Sequence, residues 1–426
     1  MDHILVRTLL LITSASAFAC SDNSESSGSS PNVGGTGQAV GGNSSSTSTA
    51  NAAGGKSSVG STGGNGSGGA KADTTGSGGR GGMGGSGVGT AVGGAISNGG
   101  QSAKGGSVGV GGTPAGGATG GLSPLHVSGT SILDASNNKV VLRGAATIDV
   151  GARYNWSGSS DALAQFKASV DLVTTAGWNA RVIRIPVYGS GSTRAGEANN
   201  FPENGTTSAQ DDWFATILKP AVDYVTSKRL YAIIDWHEIS SAAARDAATK
   251  KFWTYMAPKF KNEPNVLYEV FNEDSDTNQW TDWQPLAQGW VDIIRNAGAS
   301  NIALVGGPMW AQTIGGSATK PVTGGNVAYV AHIYCSHFND SWSKGYIETQ
   351  VAQAAAAAPL FITEWGYASS ESNTSAYLEW LNGFFSTYGA SWTAWVISSS
   401  WTPSMFKADK SPTAFGQSVK DWLAQY

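Results

Sequence analysis

Cysteine is almost missing from the 426-residue chain: Cys20 lies in the N-terminal segment and Cys335 stands alone far downstream. No disulfide can form within the folded part, which must be stabilised by its core. Phe, Trp and Tyr are absent from residues 21–123, where glycine, serine, threonine and alanine dominate. Such a stretch cannot bury enough apolar surface to offset the entropy of ordering, so it is expected to be disordered. A tether of that makeup spans on the order of 50–60 Å root-mean-square. Positive charge is not in excess either. A formal net charge of −4 and a pI near 5.7 argue against nucleic acid or an anionic membrane surface as partner. The apolar run Thr8–Phe18 is too short to span a bilayer and, with Arg7 before it and small residues after it, has the layout of a secretory signal peptide. Cys20 follows directly and resembles the cysteine that bacterial lipoproteins acylate, which makes it a candidate lipid anchor. The expected division is an export segment over residues 1–20, a linker over 21–123 and a catalytic domain over 124–426.

Residues 125–426 are enough for one large core and fall within the usual size of a (β/α)₈ barrel. Leu125–Ile132 and Lys139–Leu142 flank a turn-rich Asp134–Asn138 and read as a hairpin closing the bottom of that barrel. Strand-like and helix-like segments then alternate. The strands are Val140–Ala146, Arg181–Val187, Leu230–Trp236, Val266–Phe271, Asn301–Val305, Val327–Ile333, Pro359–Thr363 and Ser391–Ile397. The helices are Asp161–Ala176, Asp211–Ser227, Ala242–Phe260, Trp283–Ala297, Ser343–Ala357, Asn373–Tyr388 and Thr413–Gln425, with a long loop before the sixth strand. Eight such units imply a closed parallel barrel, an α/β fold. No Gly-x-Gly-x-x-Gly follows the first strand, which counts against a dinucleotide fold.

In a barrel the active site lies at the C-terminal strand ends. Two of those ends carry a glutamate: Glu273 in Asn265-Val-Leu-Tyr-Glu-Val-Phe-Asn-Glu-Asp and Glu364 in Pro359-Leu-Phe-Ile-Thr-Glu-Trp-Gly. Low polarity beside an apolar strand disfavours the charged carboxylate, so one such group can hold a proton near neutral pH and give it away. Two carboxyl groups on one sheet are what glycoside hydrolysis requires. The other strand ends present Arg184, His237, Asn272, His332, Tyr334 and Trp395. His237, His332 and His337 show no metal-ligand spacing of a known type, and no Schiff-base lysine or phosphate loop stands at the strand ends. Loops carry many aromatic rings suited to sugar faces: Tyr154, Trp156, Trp280, Trp283, Trp310, Trp342 and Trp401.

The set of strand-end residues resembles glycoside hydrolase family 5, the cellulase and mannanase family of retaining (β/α)₈ barrels, over essentially all of residues 125–426. The resemblance implies Glu273 as general acid/base and Glu364 as nucleophile. It implies that Arg184 and Tyr334 hold and polarise Glu364, and that the charge of Glu364 helps keep Glu273 protonated. Asn272 would bond the sugar 2-hydroxyl, His237 and His332 would line the cleaved-sugar site, Trp395 would form its floor and Trp310 would stack on sugar near the cleavage point. Neither cofactor nor metal is implied, and the partner is a plant cell-wall β-glycan. Two departures bear on substrate. Asp274 stands where the family often has proline, and Ser398–Ser404 replaces a Lys and a Glu that recognise the next glucose in the bacterial cellulases. The expectation is a secreted or surface-tethered endo-β-1,4-glucanase acting on cellulose or mixed β-glucan. A β-mannanase of the same family is the alternative, and a non-catalytic carbohydrate-binding barrel is the rival from another class.

Overall fold

The computed structural model describes residues 122–425 apart from 158, 192–198 and 277–278, and for 156, 157, 159 and 160 the backbone alone. The export segment, Cys20 and all but the last two residues of the expected linker lie outside the described residues, as does the side chain of Trp156. Eight parallel strands close into a barrel: β1 (Arg143–Ala146), β2 (Val182–Val187), β3 (Tyr231–Trp236), β4 (Val266–Glu269), β5 (Ala303–Val305), β6 (Val327–Tyr334), β7 (Leu360–Gly366) and β8 (Ser391–Ala394). Each strand pairs with the next in the chain, and β8 pairs back onto β1. The longer helices of the outer layer are α1 (Ser159–Leu172), α2 (Lys219–Ser227), α3 (Ala242–Phe260), α4 (Trp280–Asn296), α5 (Ser341–Ala355), α6 (Thr374–Tyr388) and α7 (Ala414–Ala424). This is the expected (β/α)₈ architecture. Among the described residues, no helix is long and apolar enough to cross a membrane.

Alternation along the strands sorts the residues. Ile183 and Ile185, Ala232 and Ile234, Val266 and Tyr268, and Leu360 and Ile362 face out and pack with the helices in one large cluster. Val182, Ile233, Leu267, Val330 and Phe361 face in and fill the lower barrel together with Leu125 and Ile132 of the N-terminal segment. Two residues further along each of these strands the inward position changes character: Arg184, Asp235, Glu269, His332 and Thr363, all buried. The period of two in a strand therefore stacks a polar layer directly on an apolar one.

Several boundaries differ from the sequence reading. The hairpin pairs His126–Ser128 with Ser131–Leu133 around Gly129, whose φ of +57° suits glycine. Asp134–Asn138 is a second turn, closed by Asp134 and bridging Leu133 to Lys139. The fourth strand leaves the ladder at Glu269, and Glu273–Asp274 forms a separate short parallel pair with Ile239–Ser240. α4 starts three residues early, so that Trp280 and Trp283 are buried core residues rather than loop aromatics. The reason is that an aromatic ring next to a helix start gains more from packing against Phe271 and Tyr329 than from solvent.

Candidate active site

Arg184 is the centre of the polar layer. It is fully buried; its guanidinium donates to carboxylates from two other strands and is ion-paired with a third. Nε and Nη2 lie 2.6 and 3.0 Å from Glu269, and Nη1 lies 2.7 Å from Glu364 Oε1. Nη2 also reaches Asn272 Oδ1 at 2.6 Å and Asp235 Oδ2 at 3.0 Å. Only a fork of fixed planar donors can serve so many acceptors at once. Burial alone would lower its pKa, but the charges of Asp235, Glu269 and Glu364 outweigh burial and hold it well above the ordinary arginine value.

The carboxylates respond differently to this cation. For Glu269 burial pushes upward, yet Arg184 and His332 win and hold it at about 2. For Glu364 burial again pushes upward, while His332, Arg184, His237 and the hydrogen bond from Tyr334 bring it below the usual range. Asp235 goes the other way: burial and the charges of Glu269 and Glu364 raise it well above a normal aspartate despite Arg184. Its Oδ2 sits 2.5 Å from Nδ1 of His237, which hydrogen-bonds it. His237 in turn stacks on Trp395, with ring centroids 5.2 Å apart and planes 6° from parallel, and Arg184 lies 5.8 Å from the Trp395 ring.

Both oxygens of Glu364 are held, Oε1 by Arg184 and Oε2 by the Tyr334 hydroxyl at 2.5 Å. Glu273 is buried beside it, and its Oε1 lies 2.8 Å from His332 Nδ1. Oxygens of Glu273 and Glu364 approach within 4.8 Å of each other. His332 Nε2 faces Thr363 Oγ1 at 3.0 Å, and Thr363 donates to Glu269 at 2.8 Å. Burial would lower the His332 pKa, but Glu364 and the bonds toward Glu269 and Glu273 raise it to about 10. The Asn272 carbonyl oxygen is engaged by Arg184, whereas its Nδ2 is buried without a protein partner.

Glu273, Glu364, Arg184, Asn272, His332, Tyr334, His237 and Trp395 thus meet in one connected group. Trp310 lies outside that bonding network, half-buried on the Pro308–Ala311 turn after β5. Met309, Trp310 and Ala311 all have positive φ, and the Met309 amide is tied to Asp276 in the loop after β4. A run of left-handed non-glycine residues persists only where its surroundings impose it. Of the loop aromatics, Tyr154 bonds Thr216 on the outer layer, and Trp342, 62% exposed, stacks on Tyr346.

The strand-end reading missed Asp235, Glu269 and Thr363. Each lies inside a run read as buried strand, and the available signal was an ionisable or hydroxyl side chain in the inward register. Glu273, His332 and Glu364 are near enough together to ring a cation. Their donor atoms already face hydrogen-bond partners and Arg184 charge, so the set fits proton transfer better than a metal. Among the described residues, His237, His332 and His337 form no such group.

Two facing carboxyl groups at the mouth of a (β/α)₈ barrel suit glycoside hydrolysis. The cellulase model of glycosyl hydrolase family 5 matches residues 133–400, and the chain belongs to that family. Endoglucanase A of Butyrivibrio fibrisolvens is 27% identical over 280 residues, 64% of this chain and 60% of that protein. Endoglucanase MaCel5A of Microbulbifer sp. (strain ALW1) is 28% identical over 296 residues, 64% of this chain and 51% of that protein. The chain spans about half the length of the curated relatives it matches. The fold is similar to that of β-glucanase SdGluc5_26A from Saccharophagus degradans, solved with cellotetraose, at a TM-score of 0.60 and 21% identity over 71% of this chain and 93% of that one. It is likewise similar to the catalytic domain of Thermobifida fusca endoglucanase Cel5A, at a TM-score of 0.55 and 22% identity over 70% of this chain and 97% of that one.

Proposed function

We propose that this chain is an exported retaining endo-β-1,4-glucanase acting on cellulose or mixed-linkage β-glucan. The observation that carries the reading is the approach of Glu273 and Glu364 within 4.8 Å, with both oxygens of Glu364 held by Arg184 and Tyr334. A retaining pair stands about 5–5.5 Å apart, close enough for one group to attack the anomeric carbon while the other protonates the departing oxygen. The relatives named as endoglucanases and the cellotetraose complex of a structural neighbour support glucan as substrate.

In the first step Glu364 attacks the anomeric carbon, and the bond to the leaving sugar breaks as its oxygen takes the proton of Glu273. The products are a glycosyl ester on Glu364 and a charged Glu273. In the second step Glu273 takes a proton from water, the resulting hydroxide attacks the same carbon, and Glu364 leaves as carboxylate. One negative charge moves between the two glutamates and back. His332 Nδ1, 2.8 Å from Glu273 and 3.8 Å from Glu364, stands within reach of that charge in both states. The Asn272 amide suits a sugar hydroxyl, the parallel Trp395–His237 stack suits a sugar face as floor, and Trp310 suits a ring near the cleavage point. Export through residues 1–20, a tether over 21–123, lipid attachment at Cys20 and a catalytic domain over 124–426 complete the proposal and rest on sequence.

The test is reducing-end release by the full chain on soluble cellulose, barley β-glucan, glucomannan, galactomannan and xylan, with Glu364→Ala and Glu273→Ala as controls. Activity on the glucans that both substitutions abolish is expected. Activity on galactomannan instead would keep the site and replace the substrate. Silence on every polymer would overturn the enzyme reading.

A further inference from the structure

Thr363 joins the acid side of the site to the nucleophile side, and the connection has a direction. β7 carries a bulge at this point: Ala331 of β6 lies opposite Ile362 and His332 opposite Glu364, leaving Thr363 as the extra residue. Neighbouring side chains of a regular strand point to opposite faces. The bulge lets Thr363 and Glu364 both serve the barrel mouth, where one reaches Glu269 and the other Arg184.

Glu269 takes two hydrogens from Arg184 and is held at about 2, so it is an acceptor alone. The fully buried Thr363 hydroxyl, 2.8 Å from Glu269 Oε1, must donate to it. A hydroxyl has one hydrogen, so toward His332 Nε2 at 3.0 Å Thr363 can only accept. Nε2 therefore carries a hydrogen, and because the ring is raised to about 10 it is an imidazolium whose second hydrogen sits on Nδ1. Nδ1 faces Glu273 Oε1 at 2.8 Å.

We propose that Thr363 is a positioning residue for proton transfer: by accepting from Nε2 of the doubly protonated His332 ring it keeps Nδ1 donating to Glu273 Oε1, so that the transferable proton of Glu273 is held on Oε2. The proposal rests on the reading of Glu273 as the acid. The groups that face His332 are Glu269 and Glu273 from β4 and its extension, Glu364 from β7, Asp235 from β3 and His337 from the turn after β6. With Thr363→Val the hydroxyl is gone, a methyl stands between Nε2 and Glu269, and the imidazolium loses its relay to a carboxylate.

The experiment compares wild type, Thr363→Val and Thr363→Ser on cellotetraose, whose leaving sugar needs a proton, and on dinitrophenyl β-cellobioside, whose leaving group does not. General acid catalysis contributes about 10²–10⁴-fold, so disturbing it through Thr363→Val should lower kcat on cellotetraose about tenfold or more. The activated substrate should change by less than about threefold, and the alkaline limb of kcat/KM on cellotetraose, where the His332 imidazolium loses its proton, should move down by about one unit. Thr363→Ser should restore both. Equal loss on the two substrates, or an unmoved alkaline limb, would overturn the role. If Thr363→Val shows no cooperative urea transition, ¹⁵N spectra of histidine-labelled wild type decide, with His332 assigned through His332→Gln. Hydrogens on both Nε2 and Nδ1 at pH 7 are expected, and a ring carrying a hydrogen on one nitrogen alone overturns the proposal. A wild type inactive on both substrates would instead overturn the glycosidase reading, a result distinct from a change of limb.

Discussion

Arg184→Lys keeps the charge at the centre of the site and removes the fork. The wild-type side chain serves Glu269 at 2.6 and 3.0 Å, Glu364 at 2.7 Å, Asn272 at 2.6 Å and Asp235 at 3.0 Å. An ammonium presents three hydrogens from one atom and cannot reach Glu269 and Glu364 together. If it stays with Glu269, Glu364 keeps Tyr334 and loses a charge-assisted bond of about 1.5–3 kcal/mol. At 1.36 kcal/mol per unit, that raises the Glu364 pKa by about 1–2 units. Wild-type Glu364 lies below the ordinary glutamate value, so the acidic limb of kcat/KM starts low and moves upward in the variant. Hydrolysis of an aryl β-cellobioside followed from pH 4 to 9 should fall about 10–100-fold on the acid side and recover in part toward pH 8. Urea unfolding should show a loss of about 2–4 kcal/mol, because buried carboxylates are left short of a partner. An acidic limb within about 0.3 unit of wild type in a folded variant would refute the assignment of Glu364 as the group Arg184 keeps charged.

Burial raises Asp274 to about 6. A raised carboxyl favours the folded state while protonated and withholds stability as pH climbs from about 4 through 6, so Asp274→Asn should gain about 1–2 kcal/mol in urea at pH 8 and little at pH 4. The amide can still accept from the Ala242 N–H that caps α3. His332, raised to about 10, contributes stability that is full below about 6.5 and lost as pH rises through 10. The urea midpoint of wild type should drop between pH 7 and 10, and that of His332→Gln should drop less. A Cβ on Gly144 would lie 1.8 Å from the Val182 carbonyl oxygen across the β1–β2 pairing, so Gly144→Ala should cost about 3 kcal/mol or more by the same assay.

How much of this was legible can be judged residue by residue. Alternating segments announced the barrel because apolar runs of strand length between amphipathic helices leave few other architectures. Glu273 and Glu364 stood out because a carboxylate ending an apolar run is unusual in composition alone. Glu269 and Asp235 carry the same signal inside their strands, in Leu267-Tyr-Glu-Val and Ile233-Ile-Asp-Trp, where the flanking apolar run masks it. The bulge at Thr363 is another matter, since register depends on the partner strand and leaves no mark on the bulged segment itself. The hairpin was misplaced because Asp134–Asn138 has stronger turn chemistry than Gly129-Thr130, though both turns form. Trp280 and Trp283 were ambiguous for a physical reason: an aromatic ring serves a sugar face and a helix interface equally well.

Arg184 ties β2 to β3, to β4 with its extension and to β7, three strands away around the ring. The wall of the vessel and the charge on the nucleophile are thus one set of bonds, and a strand that drifts outward switches off the reagent it carries. A loosened barrel would be silent rather than unselective. Hydrolysis then becomes a gauge of roundness: as urea rises, turnover and tryptophan fluorescence should vanish along one curve.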